Sequence, residues 1–220
     1  METLDPSLMG WLSETAEQYA ASLPNSPAAS YLESRGISAG VAATFQLGYV
    51  EAPATGHESY RGMLSIPYNT VRGTTGFKFR RLSNDGTRYL NPTGSRTDIY
   101  NVTALLKYTP TIVVCEGEID TITVHGVVGV PAVGVPGVQN WRRHFPRLFD
   151  GIQRIWVLGD NDEKVDGSNP GQEFAKRVCE ELPQAVNVML PPGMDANQML
   201  VTHGPQSLRE LLGVKEENDG

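Results

Sequence analysis

The sequence predicts the α/β class, an α+β N-terminal part followed by a domain built on a parallel sheet, on three observations. The first half holds short amphipathic and strand-like runs punctuated by turn residues. From Thr111 onward, apolar strands alternate with helical stretches, the pattern of parallel strands joined by crossover helices. Composition is that of a globular chain: 220 residues, 40% hydrophobic and 20% charged, enough for one good core or two small ones.

Leu8, Leu12 and Ala16 fall on one helical face beside Trp11 and Tyr19, after Asp5-Pro6 as cap and first-turn proline. The PNSP stretch at 24–27 interrupts this helix, and further helices are expected over Ala28–Ser34 and Ser38–Thr44. Strands are expected over Gln46–Val50, Met63–Tyr68, Gly76–Leu82 and Arg88–Asn91, with Asn84-Asp85-Gly86 as a hairpin turn. In the second half, strands are expected over Thr111–Cys115, Val127–Val133, Arg154–Leu158 and Ala185–Leu190. Helices are expected over Glu118–His125, Asn140–Phe149, Pro170–Leu182 and 195–213. Residues 1–108, 109–200 and 201–220 are therefore expected to form a basic N-terminal subdomain, a parallel-sheet domain, and a short helix with a frayed tail.

Several classes are disfavoured at once. The apolar stretches are broken by Gly and Pro and fall short of the roughly 20 residues needed to cross a bilayer, and METLDPSLMG is acidic without a leader pattern. A cytoplasmic protein with no membrane partner is expected. Cys115 and Cys179 supply neither a disulfide framework nor a zinc pair, and both are expected to be reduced core residues. The net charge of −7 is unevenly spread. Arg61–Lys107 holds eight basic residues against two acidic ones, a net +6, leaving −13 for the rest. Such a division suits phosphates on one side and metal cations on the other.

The acidic residues have an organisation of their own. The strand ending at Cys115 runs into Glu116-Gly117-Glu118-Ile119-Asp120, and the strand ending at Leu158 runs into Gly159-Asp160-Asn161-Asp162. In an open parallel sheet, ligand-binding groups collect at the carboxyl ends of the strands, so both clusters should meet at one edge. Acidic residues at a strand end can merely cap the next helix. Two such clusters some 40 residues apart, with a Gly-rich strand between, point instead to carboxylates neutralised by Mg²⁺ or Mn²⁺.

TIVVCEGEID (111–120), the loop Gly134-Val135-Pro136-Gly137 and LGDND (158–162) resemble the Toprim domain of primases, topoisomerases and some nucleases, a Rossmann-like fold. LPPGMDAN (190–197), YLESRGI (31–37), FQLGYV (45–50) and RYLNP (88–92) resemble segments of the bacterial DnaG-type primase core, and DNDEKVDGSNPGQ is closer to phage-encoded primases. The zinc-binding domain and helical bundle usual in such primases are not found, nor is a GxxxxGK[ST] helicase motif, so a stand-alone phage-type core is expected.

The resemblance implies a DNA primase that synthesises short RNA primers on single-stranded DNA from ribonucleoside triphosphates. Two or more Mg²⁺ or Mn²⁺ ions, and no zinc, would lie at Glu116, Asp160 and Asp162, with Asp120 and Asp195 in support. Lys78, Arg80, Arg81, Arg88, Asn91 and Arg96 would contact template or nucleotide, and His125 is expected to be a packing or surface residue. A replicative helicase and a separate zinc-binding protein are the expected partners, in the host cytoplasm. A Toprim-type metal-dependent nuclease and a non-catalytic module that binds single strands or a helicase are the competing readings.

Overall fold

The computed structural model describes residues 4–83, 85–93, 95, 98–107 and 109–214. Helix α1 (Pro6–Ala21) begins where the sequence supplies a cap and a pre-set first turn: the Asp5 carboxylate accepts from the Ser7 and Leu8 N–H groups, and Pro6 has no N–H to leave unpaired. Ser26 and Ser38 cap α2 (Pro27–Ser34) and α3 (Ala39–Thr44) in the same way. Pro27, expected only to interrupt a helix, starts one.

The chain divides into two compact units, Met1–Thr103 and Ala104–Gly220. In the first, β1 (Gly48–Tyr49), β2 (Leu64–Thr70), β3 (Gly73–Arg80) and β4 (Tyr89–Leu90) form an antiparallel meander in that order. The tight connection is Val71-Arg72 between β2 and β3, which lacks the Asn-Gly signature that drew attention to 84–86, where Asn84 lies outside the described residues. Pro67 is accommodated in β2 because β1 pairs only with Leu64 and Ser65, leaving Pro67 a neighbour on one side.

Phe77 and Phe79 of β3 pack against α1 with Tyr19, Tyr60 and His57, and Tyr60 stacks on Phe79 with ring centres 4.1 Å apart. The Tyr19 hydroxyl accepts the Ala54 N–H at 2.9 Å and is hydrogen-bonded to His57 Nδ1 at 3.0 Å, so these two buried side chains are paired. Gly48 lets the end of α1 approach β1, since a Cβ there would stand 2.7 Å from Ala20 N and from Ser65 Oγ.

In the second unit the sheet is parallel, ordered β6 (Ala132–Gly134), β5 (Thr111–Cys115), β7 (Arg154–Leu158), β8 (Ala185–Asn187). Central β5 buries Ile112 through Cys115 completely, as a parallel strand covered on both faces should. Val113 and Cys115 share an apolar layer with Leu158 and with residues of α6 (Ala196–His203) and α7 (Pro205–Leu211). Helix α5 (Pro170–Glu181) packs on β7 and β8, and its Phe174 meets Trp141 edge-on, which also touches Phe145 and Phe149.

Four expectations change. The strand placed at Val127–Val133 begins inside a π-helical segment, Thr123–Val128, that continues α4 (Glu118–Ile122) and ends at left-handed Gly129, so only Ala132 and Val133 of that stretch lie in a strand, β6. A short apolar run of β-branched residues suits a buried helix as well as a strand. The helix placed at Asn140–Phe149 splits into two 3-10 turns, Val138–Asn140 and Phe145–Phe149, with Pro146 at the start of the second. Gly204, at φ 82°, and Pro205 break the expected helix over 195–213 into α6 and α7. Cys115 is buried, but Cys179 is only half-buried. No helix among the described residues is long and apolar enough to cross a membrane.

Candidate active site

Parallel pairing of Cys115 with Leu158 sets the ends of β5 and β7 side by side, so Glu116 and the Gly159–Asp162 segment leave the sheet as neighbours. The Asp160 N–H donates to Glu116 Oε2 at 3.2 Å, joining the two clusters. The first turn of α5 closes on them. A Cβ on Gly171 would lie 2.6 Å from Asp160 N and 2.6 Å from Glu116 Oε2, and a Cβ on Gly159 would strike the Gly171 carbonyl. These two glycines permit backbone-to-backbone contact behind the carboxylates. From α4, Asp120 Oδ1 accepts the Asn197 N–H at 3.1 Å, and the Asn197 side chain donates to Thr123 Oγ1 at 2.8 Å. Asp195 caps α6 in a reciprocal capping box with Gln198.

Electrostatics tie all five carboxylates together. Burial first, then the charges of Glu116, Asp195 and Asp162, push the Asp160 carboxyl up to about 7. Burial, followed by Asp195 and Asp160, holds Asp120 well above the usual carboxylate range. Burial raises Glu116 as well, against the Asp160 N–H and Lys164. Asp162 is exposed and lies 3.9 Å from Lys164 Nζ. The donors are hard oxygens whose shared charge is under-compensated, so in kind and charge they fit Mg²⁺ or Mn²⁺. As these side chains stand, no three His, Cys, Asp or Glu groups among the described residues converge on a single ion position. His125 accepts the Ala132 N–H through Nδ1 at 3.2 Å, a packing role as expected.

The amides between the acidic residues went unassigned in the sequence reading. Asn161 uses all four of its polar groups: N–H to Met194 O, carbonyl from Gly193 N–H, Nδ2 to Leu190 O at 2.7 Å, and Oδ1 from Asn169 Nδ2 at 2.9 Å. It thereby locks the loop of Asp160 and Asp162 to the one leading to Asp195. Gln172 donates to the Gly159 and Asp160 carbonyls and accepts from Asn187. The signal was present as the Asn and Gln of DNDEKVDGSNPGQ, but amides have no spacing rule that assigns their partners.

In the first unit, alternation along β3 separates Phe79 from Lys78 and Arg80. Both cations are largely buried against aromatic rings: Lys78 Nζ lies 4.8 Å from the Tyr89 centroid, and the Arg80 guanidinium lies 4.1 Å over Tyr31 and 5.6 Å from Tyr89. Arg81 is half-buried, and its N–H bonds the Arg88 carbonyl at 2.8 Å. Arg88 and Asn91 are exposed, and the Asn91 carbonyl accepts from the Tyr60 hydroxyl at 3.1 Å. Arg96 lies outside the described residues.

Residues 111–206 match the Toprim domain family. The Gene 57 protein of Mycobacterium phage D29 is 38% identical over 158 residues, covering 70% of this chain and 99% of that protein. Among solved structures, the Aquifex aeolicus primase (zinc-binding and RNA polymerase domains) superposes with TM-score 0.74 at 20% identity. That match covers 96% of this chain, which spans 62% of the Aquifex one. The RNA polymerase domain of Mycobacterium tuberculosis DnaG, in complex with a double-stranded DNA oligomer with a 6-nucleotide overhang, gives TM-score 0.74 at 19% identity over 94% of this chain and 80% of that one. The chain thus has the α/β fold of the DnaG primase core, carries a Toprim domain, and belongs to the family of the phage Gene 57 protein.

Proposed function

We propose that this protein is a DNA primase, a DNA-directed RNA polymerase that makes short RNA primers on single-stranded DNA. The observation that carries the reading is the Glu116–Asp160 junction, two acidic strand ends bonded to one another at the carboxyl edge of a parallel sheet. Glu116, Asp160 and Asp162, with Asp120 and Asp195 in support, would hold Mg²⁺ or Mn²⁺, which supplies charge neutralisation for in-line transfer of a nucleotidyl group. Glu116, raised by burial and oriented by the Asp160 N–H, is suited to accept the proton of an attacking 3′-hydroxyl. Asp120 is held in place by the Asn197 N–H, and Asp195 by its cap.

Arg88, Asn91 and Arg81 offer accessible polar groups to template or nucleotide, and Arg96 is assigned to the same task. Lys78 and Arg80, tucked over tyrosines, contribute positive field to that surface. Single-stranded DNA and ribonucleoside triphosphates are the substrates of this reading. A replicative helicase and a separate zinc-binding protein in the host cytoplasm are its partners, the latter because the Aquifex primase joins a zinc-binding domain to its polymerase domain. Incorporation of labelled ribonucleotide on single-stranded DNA, with Mg²⁺ or Mn²⁺, tests the reading. The parent should make primers, and Asp160→Ala and Asp162→Ala should each lose about 10²-fold or more. DNA cleavage without incorporation would make the protein a Toprim nuclease, and strand binding with neither activity a non-catalytic module.

A further inference from the structure

We infer that Lys164 is a tethered counter-cation of the acidic centre, which a divalent metal ion must displace, so that this side chain sets the metal concentration at which the centre fills. The inference rests on the reading of these carboxylates as a metal centre. Lys164 lies in the segment between Asp162 and Asn169, the cap of α5. Its backbone is pinned: its N–H donates to Ser168 O at 2.8 Å and its carbonyl accepts from Gly167 N–H at 2.9 Å. Ser168 in turn donates through N–H and Oγ to Asp166 Oδ1 at 3.0 and 2.6 Å. From this anchored position the side chain reaches back, placing Nζ 3.9 Å from Asp162 Oδ2.

The charge of Lys164 acts beyond that pair. It opposes the effect of burial on both Glu116 and Asp160, the one basic side chain among the described residues that does so. The remaining charges that act on them, Asp162 and Asp195, are acidic. The ammonium is about half exposed, with 54% of its side-chain surface accessible, and it makes no second ion pair among the described residues. A compact, hydrated ammonium on a flexible stem, paired at long range in the open, is held weakly. It relieves repulsion in the metal-free centre yet can swing away when a divalent ion takes over the same charge.

The test titrates Mn²⁺ alone into the full chain, following free Mn²⁺ by electron paramagnetic resonance, for the parent, Lys164→Gln and Lys164→Arg. Lys164→Gln should bind Mn²⁺ about three- to tenfold tighter, since a competing charge is gone, and Lys164→Arg should resemble the parent. In EDTA near pH 8 the Gln variant should melt below the parent, and saturating Mn²⁺ should erase that difference. A generally disturbed site would weaken binding, so tighter binding separates displacement from damage. Equal or weaker binding by Lys164→Gln, with the parent still binding, overturns this inference alone. Unchanged Mn²⁺ affinity with a raised KM for ribonucleotide would make Lys164 a nucleotide contact and also overturn it. Failure of all three proteins to bind Mn²⁺ overturns the metal-centre reading and this inference with it.

Discussion

Replacing Asp160 with Asn should stabilise the metal-free protein while abolishing its response to divalent ions. The Asp160 carboxyl sits at about 7 in the folded chain against 3.8 as an ordinary aspartate, because burial and then Glu116, Asp195 and Asp162 oppose its ionisation. A carboxyl raised in the folded state leaves stability intact below pH 3.8, and that stability drains away as the pH climbs toward about 7. At about 1.36 kcal/mol for each pH unit, the gap sets an upper bound of about 4 kcal/mol above neutrality. Asp160 is partly exposed and titrates together with its neighbours, which reduces the expected gain to about 2 kcal/mol. For a chain of this size that is a rise of roughly 4–8 °C in Tm. Differential scanning calorimetry in EDTA at about pH 8 measures it, and the gain should shrink toward zero near pH 4. Added Mn²⁺ should raise the Tm of the parent by mass action and leave Asp160→Asn nearly unmoved. If Asp160→Asn melts at or below the parent in EDTA at about pH 8, the carboxylates do not repel one another as argued.

Gly171→Ala places a Cβ 2.6 Å from Asp160 N and Glu116 Oε2, so α5 must retreat. Urea unfolding should show a loss of about 2–3 kcal/mol, and Mn²⁺ binding should weaken in parallel. Asn161→Ala removes the donor to Leu190 O and leaves Asn169 Nδ2 without its acceptor. A cost of about 1–3 kcal/mol is expected, with faster amide exchange at Gly193, whereas unchanged exchange would argue that the two loops are not locked together. Arg88→Ala should weaken single-stranded DNA binding evenly across sequences and reduce the slope of log K against log salt by about one, read by fluorescence anisotropy at several ionic strengths.

Much of the site was legible because its signals are local. A strand that runs into an acidic residue announces itself within five or six positions, as TIVVC before Glu116 and RIWVL before Gly159 do, and both strands lie where the pattern placed them. Ser38 and the Asp5-Pro6 pair likewise mark helix starts through hydrogen bonds spanning two or three residues. The α/β class and the basic-then-acidic division were readable from the order of such segments and of charges.

What needed the folded chain was every relation set by distant partners. Val127 and Val128 carry strand-like side chains, yet burial against α7 keeps them helical, because an apolar β-branched run takes its backbone from what covers it. Register decided that Glu116 accepts the Asp160 N–H, a contact across 44 positions that no spacing rule contains. Folding of the second unit turned Asn161 and Gln172 from loop polarity into struts, and folding of the first stacked Lys78 and Arg80 on Tyr89 and Tyr31. Sequence by itself determined which chemical groups this protein carries and roughly where each strand ends. Tertiary structure decided which of those groups meet, since hydrogen bonds and charges act over a few ångströms of space regardless of the length of chain between them.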